Sequence, residues 1–254
     1  MRDASVGFQC PECVAEGARS IRVPRTVFGG TVSAREGIAS MVLIGINVAA
    51  FVLTILTGGN GGKFFENGAM LASTATDQAG NVLTGVSDGA YWRLVTAGFL
   101  HENILHIVLN LYALYLFGPL VERALGIKRF VAAYMTALVA SSVAVYWLSG
   151  ERTLTIGASG AIFGLFAMAL VFLVKAKQDI TFLLVLLALN AVISLQGNIS
   201  WQGHLGGFLT GLVLGYGFAY APRERRNQVQ IVMFAVLWIA IIGGVVVRTA
   251  QLSG

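Results

Sequence analysis

Seven apolar runs, each near the length needed to cross a bilayer, dominate this chain: 38–57, 104–121, 130–149, 159–174, 180–196, 203–221 and 229–247. A helix needs about 20 apolar residues to cross the hydrocarbon layer. Open sheet cannot survive in lipid, because its edge groups find no partner there. The runs therefore predict an all-α polytopic membrane helix bundle. The fourth and fifth are short, as suits helices buried in a bundle. Composition agrees: 56% of residues are hydrophobic and 11% charged, against about a quarter charged in a soluble domain.

The basic residues set an expected orientation. Arg2, Arg19, Arg22, Arg25 and Arg35 precede the first run, and Arg123, Lys128 and Arg129 join the second to the third. Lys175 and Lys177 follow the fourth, and Arg223, Arg225 and Arg226 follow the sixth. Only Lys63, Arg93, Arg152 and Arg248 fall on the other side. The bias predicts a multi-pass protein of the plasma or inner membrane, with its N-terminus cytoplasmic and its C-terminus external. The net charge of +5 is thus a topology signal and gives no reason to invoke nucleic acid. Residues 1–37 lack an apolar core, so the first run is expected to serve as an uncleaved anchor.

That tail holds the only cysteines, in Cys10-Pro11-Glu12-Cys13. The spacing is half of a zinc knuckle. The three histidines lie far off by this topology, and a reducing compartment disfavours a disulfide. A vestigial knuckle is favoured over a working metal site. The alternatives are zinc shared between two chains, or ligands upstream of a Met1 that is internal to a longer protein. Residues 58–100 form a long external loop that begins with glycines and ends Tyr91-Trp92-Arg93, a cluster of the kind that anchors at headgroups. Loops this long have structure of their own or a role.

Polar groups in or beside apolar runs are costly unless paired or used. Ser159, His204, His106 and Asn110 come from three predicted helices and fall near one depth, toward the external side. Asn110, four residues after His106, shares its helix face, whereas His101 belongs more to the loop. Interhelical hydrogen-bond glue is the ordinary reading of such groups singly, and it suits Asn47 and Asn190. It suits the cluster of four less well. Gly203, Gly207, Gly211 and Gly215 form a strip every fourth residue, which lets another backbone approach. Gly160 and Gly164 offer the matching surface. Packing the two faces brings the His204 imidazole toward the Ser159 hydroxyl, as a base toward a nucleophile. At a helix start, Ser159 also lies among unpaired N–H groups suited to an oxyanion. Asn110 and His106 can add further donors. Phe163, one turn on, either stacks on the imidazole or simply packs. No acidic residue lies in an apolar run near His204, so a dyad is expected rather than a triad. No catalytic metal or other cofactor is called for.

These residues resemble the rhomboid family of intramembrane serine proteases over roughly residues 38–221. Gly157-Ala158-Ser159-Gly160 resembles the nucleophile motif, and Gly203 to Gly211 the histidine helix with its trailing glycines. His106-Ile107-Val108-Leu109-Asn110 resembles the segment of oxyanion donors, Trp92-Arg93 the first-loop motif, and Gly118 to Gly126 the turn after the second span. The resemblance implies Ser159 as nucleophile and His204 as general base and acid. It implies an oxyanion hole of His106, Asn110 and the Ser159 N–H, and a structural Glu122. It further implies six core helices (38–222) around a water-filled cavity open to the outside, with 223–254 supplying a linker and an appended seventh span. Expected partners are the lipid bilayer and transmembrane protein substrates that enter sideways, often cut at small residues. Phe163 stands where many members carry tyrosine, and Gly203 where alanine is common. The cysteine pair resembles the end of a zinc-binding extension of some bacterial members. Two other functions compete. A proteolytically silent relative binding transmembrane segments has no need of both Ser159 and His204. A channel expects polar groups throughout the membrane depth, not on one side.

Overall fold

The computed structural model describes residues 2–3, 7–20, 25–32, 36–77, 80–194 and 200–253. Arg22, Arg35 and the end of the run 180–196 lie outside them. In the tail, two short antiparallel strands (β1, Arg2–Asp3; β2, Phe8–Gln9) precede α1 (Pro11–Ser20). Among the described residues, seven longer helices follow the seven apolar runs: α2 (Ile38–Leu56), α5 (Ile104–Leu125), α6 (Ile127–Leu148), α7 (Ser159–Lys175), α8 (Thr181–Ser194), α9 (Trp201–Tyr220) and α10 (Arg226–Ser253). Among the described residues, α2, α5, α6 and α10 are each long and apolar enough to cross a membrane unaided. The short α7 holds the centre of the bundle, with Gly160 through Ala169 all buried. It packs most closely on α9, and also on α5 and α6. The chain is therefore an all-α polytopic membrane bundle.

The long loop between α2 and α5 has its own architecture. It contains α3 (Lys63–Gly68), a short hairpin of β3 (Ala75–Thr76) with β4 (Val82–Leu83), and α4 (Arg93–Thr96). Arg93 corrects the sequence reading. It does not face headgroups but is wholly buried. Its guanidinium donates to the carbonyls of Thr84 (2.7 Å), Glu66 (2.6 Å) and Ala69 (2.5 Å). A rigid fork of five donors satisfies several loop carbonyls at once. Tyr91 and Trp92 remain half exposed at the surface. Asn47 and Asn190 each donate to the carbonyl four residues earlier in their own helix, Leu43 and Leu186, and Asn47 also meets the Tyr134 side chain of α6.

At the other end, Glu122 of α5 holds the start of α2. Its carboxylate accepts from the N–H groups of Ala39 (3.1 Å) and Ser40 (2.9 Å) and from the Ser40 hydroxyl (2.8 Å). A helix start has no intrahelical acceptor for these groups, and Gly37 offers no side-chain cap. A carboxylate also suits the positive end of the helix dipole.

Candidate active site

Ser159 opens α7 because Gly157 turns the chain sharply just before it. Gly157 has φ of +124°, a conformation that side chains rarely tolerate. A Cβ there would sit 2.9 Å from the His106 Nε2 and 3.6 Å from the Ser159 Oγ. The turn is tied from both sides. The Gly157 N–H donates to the Ala97 carbonyl (2.9 Å), and Thr155 pairs with Met70 through two backbone bonds of 2.8 and 2.9 Å. The loop between α2 and α5 thus braces the segment that presents the serine.

Glycine contact brings in the histidine. A Cβ on Gly207 would overlap the Gly160 carbonyl, and one on Gly211 would overlap that of Gly164. The backbones of α7 and α9 touch, and His204 Nε2 lies 2.8 Å from Ser159 Oγ. The Phe163 ring stacks on the imidazole, with centroids 4.1 Å apart and planes 10° apart. His204 is buried and Ser159 half-buried.

His106 closes the serine side through the Gly157 contact. Asn103 fixes its helix start, accepting from the His106 N–H at 2.9 Å. Asn110 is buried on the same helix, and its amide donates to the His106 carbonyl (2.9 Å). One of its two N–H groups is therefore used within the helix. The first N–H groups of α7, those of Ser159, Gly160 and Ala161, have no carbonyl within the helix to receive them. A hollow of about 30 Å³ lies beside Ser159, lined in part by Met70, Gly157, Ser141 and Ser142. That is room for one or two waters.

Sequence reasoning missed four participants. His101 is fully buried, edge-on to His106 at 4.9 Å between centroids. Ser141 and Ser142 of α6 are buried beside the hollow. This adjacent polar pair inside an apolar run is the same signal that flagged Asn110. Met70 gave none. Cys10 and Cys13 are exposed free thiols, and among the described residues no group of three or more metal-binding side chains gathers around them or elsewhere.

Comparison with known proteins gives a match to the Rhomboid domain over residues 88–221. The putative rhomboid protease YdcA of Bacillus subtilis is 33% identical over 149 residues, covering 56% of this chain and 74% of that protein. The mitochondrial RHOMBOID-like protein 6 of Arabidopsis thaliana is 28% identical over 186 residues, 63% of this chain and 60% of its own length. The rhomboid protease GluP of Bacillus subtilis is 36% identical over 169 residues, 63% of this chain but only 32% of that protein.

Proposed function

Because the chain belongs to the rhomboid family, we propose that it is an intramembrane serine endopeptidase that cuts transmembrane segments of other membrane proteins. The observation that carries this reading is the 2.8 Å contact between Ser159 Oγ and His204 Nε2, made by two helices whose backbones touch. In this mechanism His204 Nε2 takes the hydroxyl proton as Oγ attacks the scissile carbonyl carbon. The carbonyl oxygen becomes an oxyanion, received by the Ser159 N–H and by donors from His106 and Asn110. Collapse breaks the C–N bond, and His204 returns its proton to the leaving amine. Water, activated by the same imidazole, then hydrolyses the acyl-serine. Phe163 holds the ring flat against α7 so that Nε2 keeps its aim. The hollow beside Ser159 suits a small side chain next to the cut bond.

The same reading takes 1–37 as a cytoplasmic tail, 38–222 as the protease core and 223–254 as a linker with the seventh span. The basic-residue bias supports an external active site and C-terminus. The test is reconstitution in liposomes with a single-span substrate, comparing the wild-type chain with Ser159→Ala and His204→Ala. Both variants lose cleavage by at least about 10³-fold while their helical circular dichroism stays unchanged. Wild-type cleavage by Ser159→Ala removes the mechanism. Binding of the substrate without cleavage by the wild-type chain points instead to a proteolytically silent relative.

A further inference from the structure

At the end of the bundle remote from Ser159, three arginines from three parts of the chain converge on one short stretch of backbone. Phe28 fixes the place. It is buried against Phe172 near the far end of α7, with centroids 4.5 Å apart. At 1.5 Å per residue, this lies about 20 Å along the helix from Ser159. Arg25 donates to the Gly29 carbonyl (3.2 Å), Arg129 of α6 to that of Phe28 (3.0 Å), and Arg226 of α10 to that of Val27 (3.2 Å). Nη1 of Arg226 and Nη1 of Arg129 lie 3.2 and 3.3 Å from the point a Gly29 Cβ would occupy. The two guanidinium groups are therefore neighbours, and Arg25 bonds the same glycine.

Carbonyl oxygens satisfy some of these N–H groups but supply no net negative charge. Among the described residues the ion pairs are Arg123 with Glu36 and Arg248 with Glu151, so none of the three arginines has an acidic partner. The charges that act on Arg129 are the other two arginines. Arg226 Nε is buried with no hydrogen-bond partner. Three like charges held together repel one another, and a buried donor without an acceptor is costly. One ligand relieves both costs: a group with a net negative charge and several acceptor oxygens. Apolar surface adjoins the cluster. Val27 is 75% exposed, and Ile231, one turn along α10 from the Arg129-bonded Asn227, is 68% exposed. Cations beside apolar surface at the end of a membrane bundle match a lipid, with its phosphate on the arginines and its chains along α10.

We propose that Arg25, Arg129 and Arg226 form a binding site for the phosphate of an anionic phospholipid. The site does not depend on the protease reading. A free phosphate shares the recognised chemistry, so the experiment separates the two sources. Full-length protein in mild detergent is titrated with phosphatidylglycerol, phosphatidylcholine and inorganic phosphate, and bound lipid is counted by native mass spectrometry. Phosphatidylglycerol is retained in preference to phosphatidylcholine. Arg129→Gln and Arg226→Gln each weaken its binding about fivefold, the value of one interfacial cation, with circular dichroism unchanged. Arg25→Gln alters an exposed side chain outside the helices, so it keeps the fold and gives the same readout if the other two variants unfold. Equal retention of the two lipids by the wild-type chain, or undiminished binding by Arg25→Gln, overturns the site. Displacement of the lipid by an equal concentration of inorganic phosphate overturns the lipid assignment.

Discussion

His101 shows how much one side chain can bear on a membrane site it does not enter. It lies outside the spans, wholly buried, with its ring against His106. Burial, and then the neighbouring His106, push its pKa down from 6.5 to about 3. The unfolded chain therefore binds a proton between pH 6.5 and 3 that the folded chain refuses. The stability linked to His101 is complete above pH 6.5 and is lost as pH falls toward 3, by at most about 1.4 kcal/mol per unit. Thermal melts in detergent over that window give a steeper acid loss for the wild-type chain than for His101→Phe, which keeps an aromatic edge but cannot titrate. Parallel profiles for the two proteins would show that His101 is not the group responsible. Glu122 bears on stability from the other end. Its carboxylate answers two backbone N–H groups and a hydroxyl, all buried, so Glu122→Ala orphans three donors. The expected loss is about 3 kcal/mol, read from the same melts, with Glu122→Gln losing less because it still accepts.

Helix contact sets the element scale. Gly207 and Gly160 meet backbone to backbone, so a methyl group at 207 forces α9 off α7. His204 rides on α9 and Ser159 on α7, and separating them lengthens the 2.8 Å contact on which the proposed proton transfer depends. Gly207→Ala therefore reduces labelling of Ser159 by a serine-directed phosphonate at least tenfold, while circular dichroism shows the helices intact. Gly45 and Gly243 are also helical, but a Cβ on either meets nothing within 4 Å. Alanine there leaves labelling unchanged and can raise the melting temperature through helix propensity. Equal effects at 207 and 45 would break the link between glycine contact and geometry. This is the scale at which the sequence was most legible. Spacing of four between glycines states which face packs, and a serine between glycines beside an apolar run states where a helix starts. Arg93 was misread because a basic residue beside two aromatics looks the same whether it anchors at headgroups or threads into a loop. What decided its place was a set of backbone carbonyls, and backbone carbonyls leave no trace in residue identity. His101 was hidden for a related reason. Loop residues carry no periodicity, so burial outside a helix cannot be seen in the pattern.

For the whole molecule, the question is which way the bundle faces. The cations sort by loop, and cytoplasmic loops retain Lys and Arg. Residues 123–129, 175–177 and 223–226, at the junctions of α5 with α6, α7 with α8 and α9 with α10, carry eight of the 17 basic residues, and the tail five more. The fold adds a second asymmetry. The loop of residues 57–103 and the C-terminal end of α10 meet at the side of Ser159, where Ser253 Oγ donates to the Ser87 carbonyl (3.4 Å) and Arg248 faces Glu151 (3.8 Å). The arginine cluster around Phe28 lies at the opposite end. An N-terminus in the cytoplasm therefore puts the proposed nucleophile near the external leaflet and the proposed lipid site in the cytoplasmic leaflet, where anionic lipid gathers. The chain carries its own reporters, since Cys10 and Cys13 are its only cysteines and both are exposed. A membrane-impermeant maleimide leaves the wild-type protein unlabelled in intact cells and labels it after lysis in the presence of a chelator. Ser253→Cys, at an exposed position near the end of α10, is labelled before lysis. The reverse pattern would invert the bundle, placing the serine on the cytoplasmic side and the arginine cluster in the external leaflet, so both site assignments would have to be rebuilt around the opposite face.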